Sequence, residues 1–223
     1  MNVSQAIAKR CSIRAFIDTP VERALIERIL SNSASAPSGG NVQPWQVHVA
    51  TGGPLQEFIA DIEKKFRAGK IEAAEFESYP KGLWSPHREY RFENGEALYE
   101  ILGLKREDKI GRMNQFSNNF RFFGAPVALF FTMDKRFAQA QWSDVGMFMQ
   151  NLMLLATEAG LGTCAQRCWL MFKDSIAEFL GLDGNSIVLC GLALGYPDES
   201  APINKLKTDR AKIEDYTTFI GFE

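Results

Sequence analysis

The stretch APSGGNVQPW, at residues 36–45, decides how the rest of the sequence is interpreted. It follows a helical pattern and precedes a short pattern of alternating apolar residues. Gly39 and Gly40 permit positive φ angles and a close approach of the backbone to a ligand, while Pro37 and Pro44 stiffen the two ends. The stretch therefore predicts a rigid polar turn beside a tryptophan. On its own it is equally consistent with an ordinary helix-to-strand loop.

A second motif, KRCSIRAF, occupies residues 9–16 and carries two arginines and a hydroxyl within one extended pass. The planar guanidinium fork of arginine binds two phosphate oxygens at once, so this run is a candidate phosphate site. A solvated basic surface segment is the alternative that the run alone leaves open.

Composition and charge narrow the class of protein. A chain of 223 residues that is 46% hydrophobic and 12% aromatic is expected to form one domain with a sizeable core. The 25 basic and 27 acidic residues leave a formal charge of -2, so nothing favours a nucleic acid or an anionic membrane as partner. No apolar run reaches the roughly 18 residues of a spanning helix, and the first residues lack the pattern of a signal peptide.

Cysteine and histidine usage indicates the redox setting and argues against a metal site. The four cysteines at positions 11, 164, 168 and 190 show no paired spacing, and we therefore expect a reduced, cytoplasmic setting. With two histidines in the chain, a histidine-rich metal site is not expected.

The N-terminal part of the chain predicts two helices. The first covers residues 2–9. For the second, Thr19 is the expected N-cap and Glu22 completes a capping box, with an apolar face that continues to about Ser33.

The turn at residues 36–45 is followed by a predicted strand and a third helix. Val47 and Val49 alternate with polar or small residues, and the pair Gly52-Gly53 is expected to end the strand. Pro54 then opens a helix. His48 is interpreted as a structural residue, because no neighbour in sequence pairs with it.

Residues 68–112 differ in composition from the rest of the chain, since they mix aromatic residues and prolines with many charged residues. Such an excursion is typical of a lid or binding loop. Asn94 is expected to cap a short helix that Gly103 stops, and a further helix is expected at about 107–120. Three apolar residues of that helix are expected to point inward: Ile110, Met113 and Phe116.

The second half of the chain carries the predicted core. Residues 126–133 and 186–194 are continuous apolar runs of strand length, so both strands should be buried on both faces. Between them, residues 143–159 form a helix that is apolar almost all round and must be buried in a core or in a subunit interface. Many helices and few strands predict an α+β fold.

Several chemistries are excluded by the absence of their motifs. No G-x-G-x-x-G joins a strand to a helix, and neither a Walker sequence nor a G-x-S-x-G elbow is present. Cys164 and Cys168 are separated by three residues, a spacing that suits neither a redox pair nor a zinc knuckle. What remains is an anion site built from separated basic residues, with two glycine-containing turns able to approach a flat ring.

Four motifs together resemble the FMN-dependent nitroreductase family, and the excursion at 68–112 resembles that of its nitroaromatic-reducing subgroup. They are RCSIRAF at 10–16, APSGGNVQPW at 36–45, GLGT at 160–163 and GYP at 195–197. The resemblance covers nearly the whole chain. It implies a nitroreductase-like α+β fold with a central, mostly antiparallel sheet flanked by helices, in an intertwined homodimer. The chain would then be a single FMN-binding domain, 1–223, with a lid-like excursion at about 68–112.

The resemblance also implies which residues bind FMN. The phosphate-binding run is matched by Arg10, Cys11, Ser12 and Arg14, and the turn that reaches the cofactor from the other subunit is matched by Pro37, Ser38, Gly39, Asn41 and Gln43. The stretch facing the ring is matched by Ala165 and Gln166, with Asn119 as a further contact, and the C-terminal phosphate contact by Lys207 and Arg210. Residues of the excursion expected to meet the substrate are Trp84, Tyr90 and Arg112.

The activity implied is that of an FMN-dependent NAD(P)H oxidoreductase. NADH or NADPH would serve as reductant and a nitroaromatic, quinone or related aromatic compound as acceptor, in a ping-pong mechanism. The flavin would carry the chemistry, so no catalytic side chain is assigned. Two rivals remain open: another reaction of the same fold, such as dehalogenation, dehydrogenation or flavin breakdown, and a flavin-binding protein without turnover.

Overall fold

The computed structural model describes residues 1–222 and has helices on both faces of a four-stranded antiparallel sheet. The strands are β1 (Gln46–Thr51), β2 (Val127–Asp134), β3 (Gly162–Gln166) and β4 (Ser186–Gly195), in the spatial order β1-β2-β4-β3. The helices are α1 (Val3–Lys9), α2 (Arg23–Ser33), α3 (Gly52–Arg67), α4 (His87–Ile101), α5 (Lys109–Ser117), α6 (Gln141–Glu158) and α7 (Lys173–Leu180). The predicted α+β class and antiparallel sheet are confirmed.

Strand β2 divides the core into two layers, because its alternate side chains enter opposite faces of the sheet. Ala128 and Phe130 pack with α3 and α7, whereas Leu129 and Phe131 pack with α2 and α6. All of β2 except its last residue is buried, as the continuous apolar run predicts. None of the helices within residues 1–222 has the length and apolarity needed to cross a membrane.

The predicted start of α2 is wrong. The helix begins at Arg23, and its N-cap Glu22 makes no side-chain capping bond. At Thr19 the chain is still in a turn, since the Thr19 amide donates to the carbonyl of Ile17 over 2.8 Å. Strand β1 ends at Thr51, directly before the predicted Gly52-Gly53 pair. The predicted start of α3 at Pro54 is wrong, because Gly52 begins the helix directly after β1 and makes the change of direction with a φ of +64°.

The helices of the excursion differ from the prediction. Asn94 lies in the middle of α4 rather than capping a helix, because the surrounding arginine, glutamate, alanine and leucine residues favour a continuous helix. Gly103 ends this region with a φ of +66°, as expected. Helix α5 starts after Asp108, whose carboxylate accepts from the Gly111 amide over 2.8 Å.

Two residues of α5 that were expected to point inward are exposed. Ile110 is 77% exposed and Met113 is 55% exposed, while Phe116 packs against the core. The reason is that α5 lies on the rim of a cavity of about 1270 Å³ rather than on the sheet.

Helix α6 is buried along one stripe only. Val145, Phe148, Leu152 and Ala156 enter the core, but Met147 on another side is 38% exposed. Helix α6 is therefore not buried on all sides within one chain.

The glycine segment after α6 is a strand rather than a turn. Gly160 ends α6 with a φ of +79°, and β3 begins two residues later. A Cβ on Gly162 would lie 2.6 Å from a side-chain carbon of Ile13 and 3.0 Å from Pro197. Glycine at this position therefore allows the N-terminal run to pack against β3.

Candidate cofactor site

The N-terminal basic run lies along the edge of β3. The Ile13 amide donates to the Thr163 carbonyl over 2.9 Å, and Ser12 forms a parallel bridge with Thr163. Because alternate residues of an extended segment share a side, the buried Ile13 side chain places Arg10 and Arg14 together on the opposite side.

Asn204 fixes this run from the C-terminal part of the chain. Its side-chain oxygen accepts from the Arg14 amide over 2.7 Å, and its amide group donates to the Ala15 carbonyl over 2.8 Å. The Arg14 guanidinium donates to the Ser12 carbonyl over 3.4 Å. Within residues 1–222 neither Arg10 nor Arg14 forms an ion pair with a carboxylate. Two uncompensated cations on a fixed backbone suit an anionic ligand.

The stretch at residues 36–45 forms a polar turn, as predicted. Its φ angles are positive at Gly40, Asn41 and Gln43, and the Gln43 amide donates to the Ser38 hydroxyl over 3.0 Å. Four of the five predicted contacts are exposed: Pro37, Gly39, Asn41 and Gln43.

The turn is attached to the first half of α6. The Gly39 amide donates to the Asp144 carboxylate over 3.3 Å, and the Trp45 ring stacks on Phe148 at a centroid distance of 5.0 Å. Asp144 was not identified from the sequence, since 105 residues separate it from Gly39. The turn therefore presents backbone groups outward from a fixed base.

Asn119 and Gln166 lie in direct contact. The Gln166 amide donates to the Asn119 carbonyl over 2.7 Å, and the Asn119 amide donates to the Phe116 carbonyl over 2.8 Å. Gln166 is only 3% exposed, so its side-chain amide holds the buried segment next to the edge of β3 in place. Its neighbour Ala165 is exposed at that edge, where a flat ligand could approach the backbone.

Within residues 1–222, no hydrogen bond or ion pair joins the predicted C-terminal phosphate contacts, Lys207 and Arg210, to the basic run at residues 9–16. Lys207 and Arg210 are both exposed. The Arg210 guanidinium donates to Thr208 and to the Asp209 carbonyl, over 2.7–3.0 Å. Asn204 instead makes the contact between this part of the chain and Arg14, and no local sequence signal distinguishes it.

The three predicted substrate contacts fall into two groups. Trp84 is 59% exposed and packs edge-on against His87, which in turn packs against Tyr90. Arg112 is already engaged: it donates to Glu96 over 2.8 Å and its guanidinium carbon lies 4.1 Å from the centroid of the Tyr99 ring. Arg112 thus joins α5 to α4, and its hydrogen bond lowers the pKa of Glu96.

Three of the four cysteines are poor nucleophiles. All four are free, and burial raises the pKa of Cys164 and Cys168, and raises that of Cys190 to about 12. Thiols in such surroundings stay protonated and unreactive. No cluster of histidine, cysteine and carboxylate side chains within residues 1–222 has the composition of a metal site.

Residues 7–196 match the sequence model of the Nitroreductase family. The chain belongs to the nitroreductase family. It is 38% identical over 217 residues to the 4-nitrobenzoate reductase of Pseudomonas putida, covering 97% of this chain and 95% of that protein. It is 34% identical over 220 residues to the nitrobenzene nitroreductase of Ectopseudomonas oleovorans, covering 98% and 96%.

Among solved structures, this nitroreductase is similar to the FMN and NADPH-dependent nitroreductase NfnB from sphigopyxis sp. strain HMH. The two chains superpose with a TM-score of 0.97 at 42% identity, and each is covered completely. The predicted family and fold are therefore confirmed.

Proposed function

We propose that this nitroreductase binds FMN beside the edge of β3 and uses it to reduce nitroaromatic compounds with NADPH or NADH. The observation that carries the proposal is the pair of uncompensated cations, Arg10 and Arg14, next to the exposed edge at Ala165. The FMN and NADPH dependence of the sphigopyxis NfnB and the nitroaromatic substrates named for the two enzymes above support it.

The residues present fit FMN. Its phosphate carries up to two negative charges, which Arg10 and Arg14 would balance, with Ser12 between them as a hydroxyl donor. Its flat ring would lie against Ala165, where no side chain beyond a methyl group intervenes. The Asn119–Gln166 contact would hold that surface in place.

When bound, FMN supplies the hydride and electron transfer, and the protein supplies position and electrostatics. In this proposal the turn at 36–45 closes one side of the ring with its outward backbone groups. The exposed side chains of Trp84 and Tyr90 would cover the other side and contact the flat acceptor. Because nicotinamide and acceptor both need that side, they would bind in turn.

We also propose that the functional form is a homodimer. Large apolar side chains remain exposed in one chain: Val3 at 70%, Met147 at 38%, Tyr216 at 70%, Phe219 at 61% and Ile220 at 85%. An obligate interface buries about 2,000 Å² or more, which would cover such a set. In the dimer, the turn at 36–45 of one subunit would reach the FMN held by the other. Sedimentation velocity of the FMN-loaded protein should give a dimer, and an FMN-loaded monomer would contradict this part of the proposal.

The proposal also covers the extent of the FMN-binding unit and the location of the protein in the cell. Residues 1–223 would act as one FMN-binding unit, with the excursion at 68–112 as its lid. A cytoplasmic location is included because the reaction consumes reduced nicotinamide nucleotides.

An anaerobic absorption experiment tests the proposed activity. The purified protein should show a flavin spectrum that NADPH or NADH bleaches and that 4-nitrobenzoate or nitrobenzene restores. Bleaching without restoration by any aromatic acceptor would contradict the proposed reaction. A stable flavin spectrum in the presence of both nucleotides would instead indicate binding without turnover.

A further inference from the structure

The exposed ring of Tyr79 contacts two arginines from distant parts of the chain. The guanidinium carbon of Arg91, on α4, is 4.4 Å from the ring centroid, and that of Arg167, directly after β3, is 5.6 Å from it. The Arg167 guanidinium also donates to the Ser78 carbonyl over 3.5 Å. Contacts of this kind attract a cation to the face of the ring. Both guanidinium carbons therefore lie within 6 Å of the centroid of one ring.

These two arginines have no counter-charge within residues 1–222. Other arginines of the excursion do: Arg88 pairs with Glu89 at 2.6 Å and Arg112 with Glu96 at 2.8 Å. No carboxylate lies within ion-pair distance of Arg91 or Arg167 in the described part of the chain. Two like charges on one ring repel, and an anion bound between them would remove that repulsion.

The position of Arg167 connects this cluster to the proposed cofactor site. It is the residue after Gln166, so their Cα atoms are about 3.8 Å apart. Ala165, two residues earlier, is the exposed residue at the edge proposed to face the flavin ring. Both Arg167 and Arg91 are themselves exposed, so their donors are available to a bound molecule.

We propose that Arg91 and Arg167, held on Tyr79, bind a carboxylate carried by the aromatic acceptor. This inference rests on the proposed function and names its substrate class as aromatic acids. A guanidinium fork matches the two oxygens of a carboxylate. Because Arg167 follows Ala165 by two residues and both are exposed, an aromatic acceptor bound at the edge near Ala165 would bring its carboxylate toward Arg167.

Paired acceptors that differ in charge test the proposal. The measurement is kcat/KM for 4-nitrobenzoate and for nitrobenzene, at saturating NADPH, in the wild type and in Arg91→Gln and Arg167→Gln. Each substitution should lower kcat/KM for 4-nitrobenzoate about ten- to a hundredfold, the effect of losing a charged hydrogen bond. The value for nitrobenzene should change by less than about twofold, because the neutral ring has no group for the arginines. Arg106→Gln is the matched control, since Arg106 lies over the ring of Phe92 in the same excursion, 5.8 Å from its centroid, and should leave both values unchanged.

A binding measurement separates this inference from the proposed reaction. The FMN-loaded protein is titrated calorimetrically with benzoate. Arg167→Gln should weaken benzoate binding and Arg167→Lys should partly preserve it. The neutral analogue benzamide should bind equally to the wild type and to both variants. This readout needs no turnover, so it stands even if the wild type fails to reduce any nitroaromatic.

Two results would overturn the inference. Equal losses with 4-nitrobenzoate and nitrobenzene would show that the arginines only order the excursion. A loss confined to the rate of flavin bleaching by NADPH, with NADH unaffected, would show that the cluster binds the nucleotide phosphate instead.

Discussion

The side-chain amide of Gln166 donates to the main-chain carbonyl of Asn119, and this 2.7 Å hydrogen bond joins the end of β3 to the turn before β2. The Trp169 indole donates to the other end of the same amide over 3.4 Å. One buried side-chain amide therefore bonds both to Asn119, 47 residues away, and to Trp169, three residues away. Loss of the Gln166 side-chain amide would leave the Asn119 carbonyl without its donor from Gln166.

Replacing Gln166 with leucine should destabilise the fold. A buried acceptor that loses its donor costs about 1–3 kcal/mol, so the free energy of unfolding measured in urea should fall by that amount. Gln56→Leu on the exposed side of α3 is the control and should change the free energy by less than about 0.5 kcal/mol. Equal small effects in the two variants would mean that the contact is unimportant for stability.

Removing a proposed phosphate ligand should weaken FMN binding without unfolding the protein. Arg14→Ala and Arg210→Ala should each raise the FMN dissociation constant about ten- to a hundredfold, the value of one charged hydrogen bond. Fluorescence titration of the apoprotein with FMN measures the change. Arg28→Ala on the exposed surface of α2 should have no effect. Since Arg210 bonds to its own loop in the structure, an unchanged constant for Arg210→Ala alone would remove that residue from the site.

Gly191→Ala should disrupt the packing of β4 against Trp169. A Cβ at this position would overlap the indole ring, whose Nε1 would lie 2.8 Å away. The ring is fully buried and stacks on Phe122 at 4.5 Å, so it has little room to move. Overpacking of this kind costs about 1–3 kcal/mol.

Thermal unfolding measures this loss. Gly95→Ala is its control, because Gly95 lies in α4 with open space around it and alanine should stabilise that helix by about 0.5–1 kcal/mol. A variant at position 191 as stable as the wild type would contradict the packing described.

Buried thiols should make the fold less stable at alkaline pH. The pKa of Cys190 is raised from 9.0 to about 12, so the folded chain keeps a proton that the unfolded chain releases above about pH 9. The unfolded state then binds fewer protons, and stability falls as pH rises between these two values. At pH 10 the loss from this thiol is about 1.4 kcal/mol.

The test is the difference in unfolding free energy between pH 7 and pH 10. It should be smaller in Cys190→Ala than in the wild type by about 1.4 kcal/mol. Parallel pH profiles would show that this thiol does not contribute.

The proposed shared position of nicotinamide and acceptor predicts a ping-pong pattern. Double-reciprocal plots should be parallel when one substrate is varied at fixed levels of the other, and high levels of either substrate should inhibit. Trp84→Ala or Tyr90→Ala should change acceptor preference more than NADPH oxidation, because these exposed side chains would contact the acceptor. Intersecting lines together with a detectable ternary complex would contradict the shared position.

Elements with a strong local pattern could be predicted from the sequence. The apolar runs at 126–133 and 186–194 are strands β2 and β4, and Gly181 ends α7 in the left-handed conformation. The rigid turn at 36–45 followed from its glycines and prolines, and the family followed from four motifs in order.

Other elements depend on distant contacts and could not be predicted. Strand β3 contains only five residues and no run of large apolar side chains, and it forms because β4 and the run around Ile13 pair with it. The contacts of Asp144 with Gly39 and of Asn204 with Arg14 span 105 and 190 residues. The inward orientation expected for Ile110 failed because periodicity does not show which surface a helix will meet.

The excursion at 68–112 contributes no buried hydrophobic residue, because none lies between Ile62 and Phe120. The start of the excursion is fixed by hydrogen bonds outside the core. The Glu72 carboxylate accepts from the backbone amides of Asp174 and Ser175 at the start of α7, over 2.6 and 3.1 Å. The fully buried core of the sheet and its two helical layers therefore lies outside the segment, and Phe76 adds a partly buried contact with Trp142 at a centroid distance of 4.6 Å. An excursion from a related enzyme could replace this one from just beyond Phe76 onward, and the hybrid should fold with the original sheet while acquiring the donor's acceptor preference. Sequence change in this segment gives the scaffold a route to new substrates at little cost in stability.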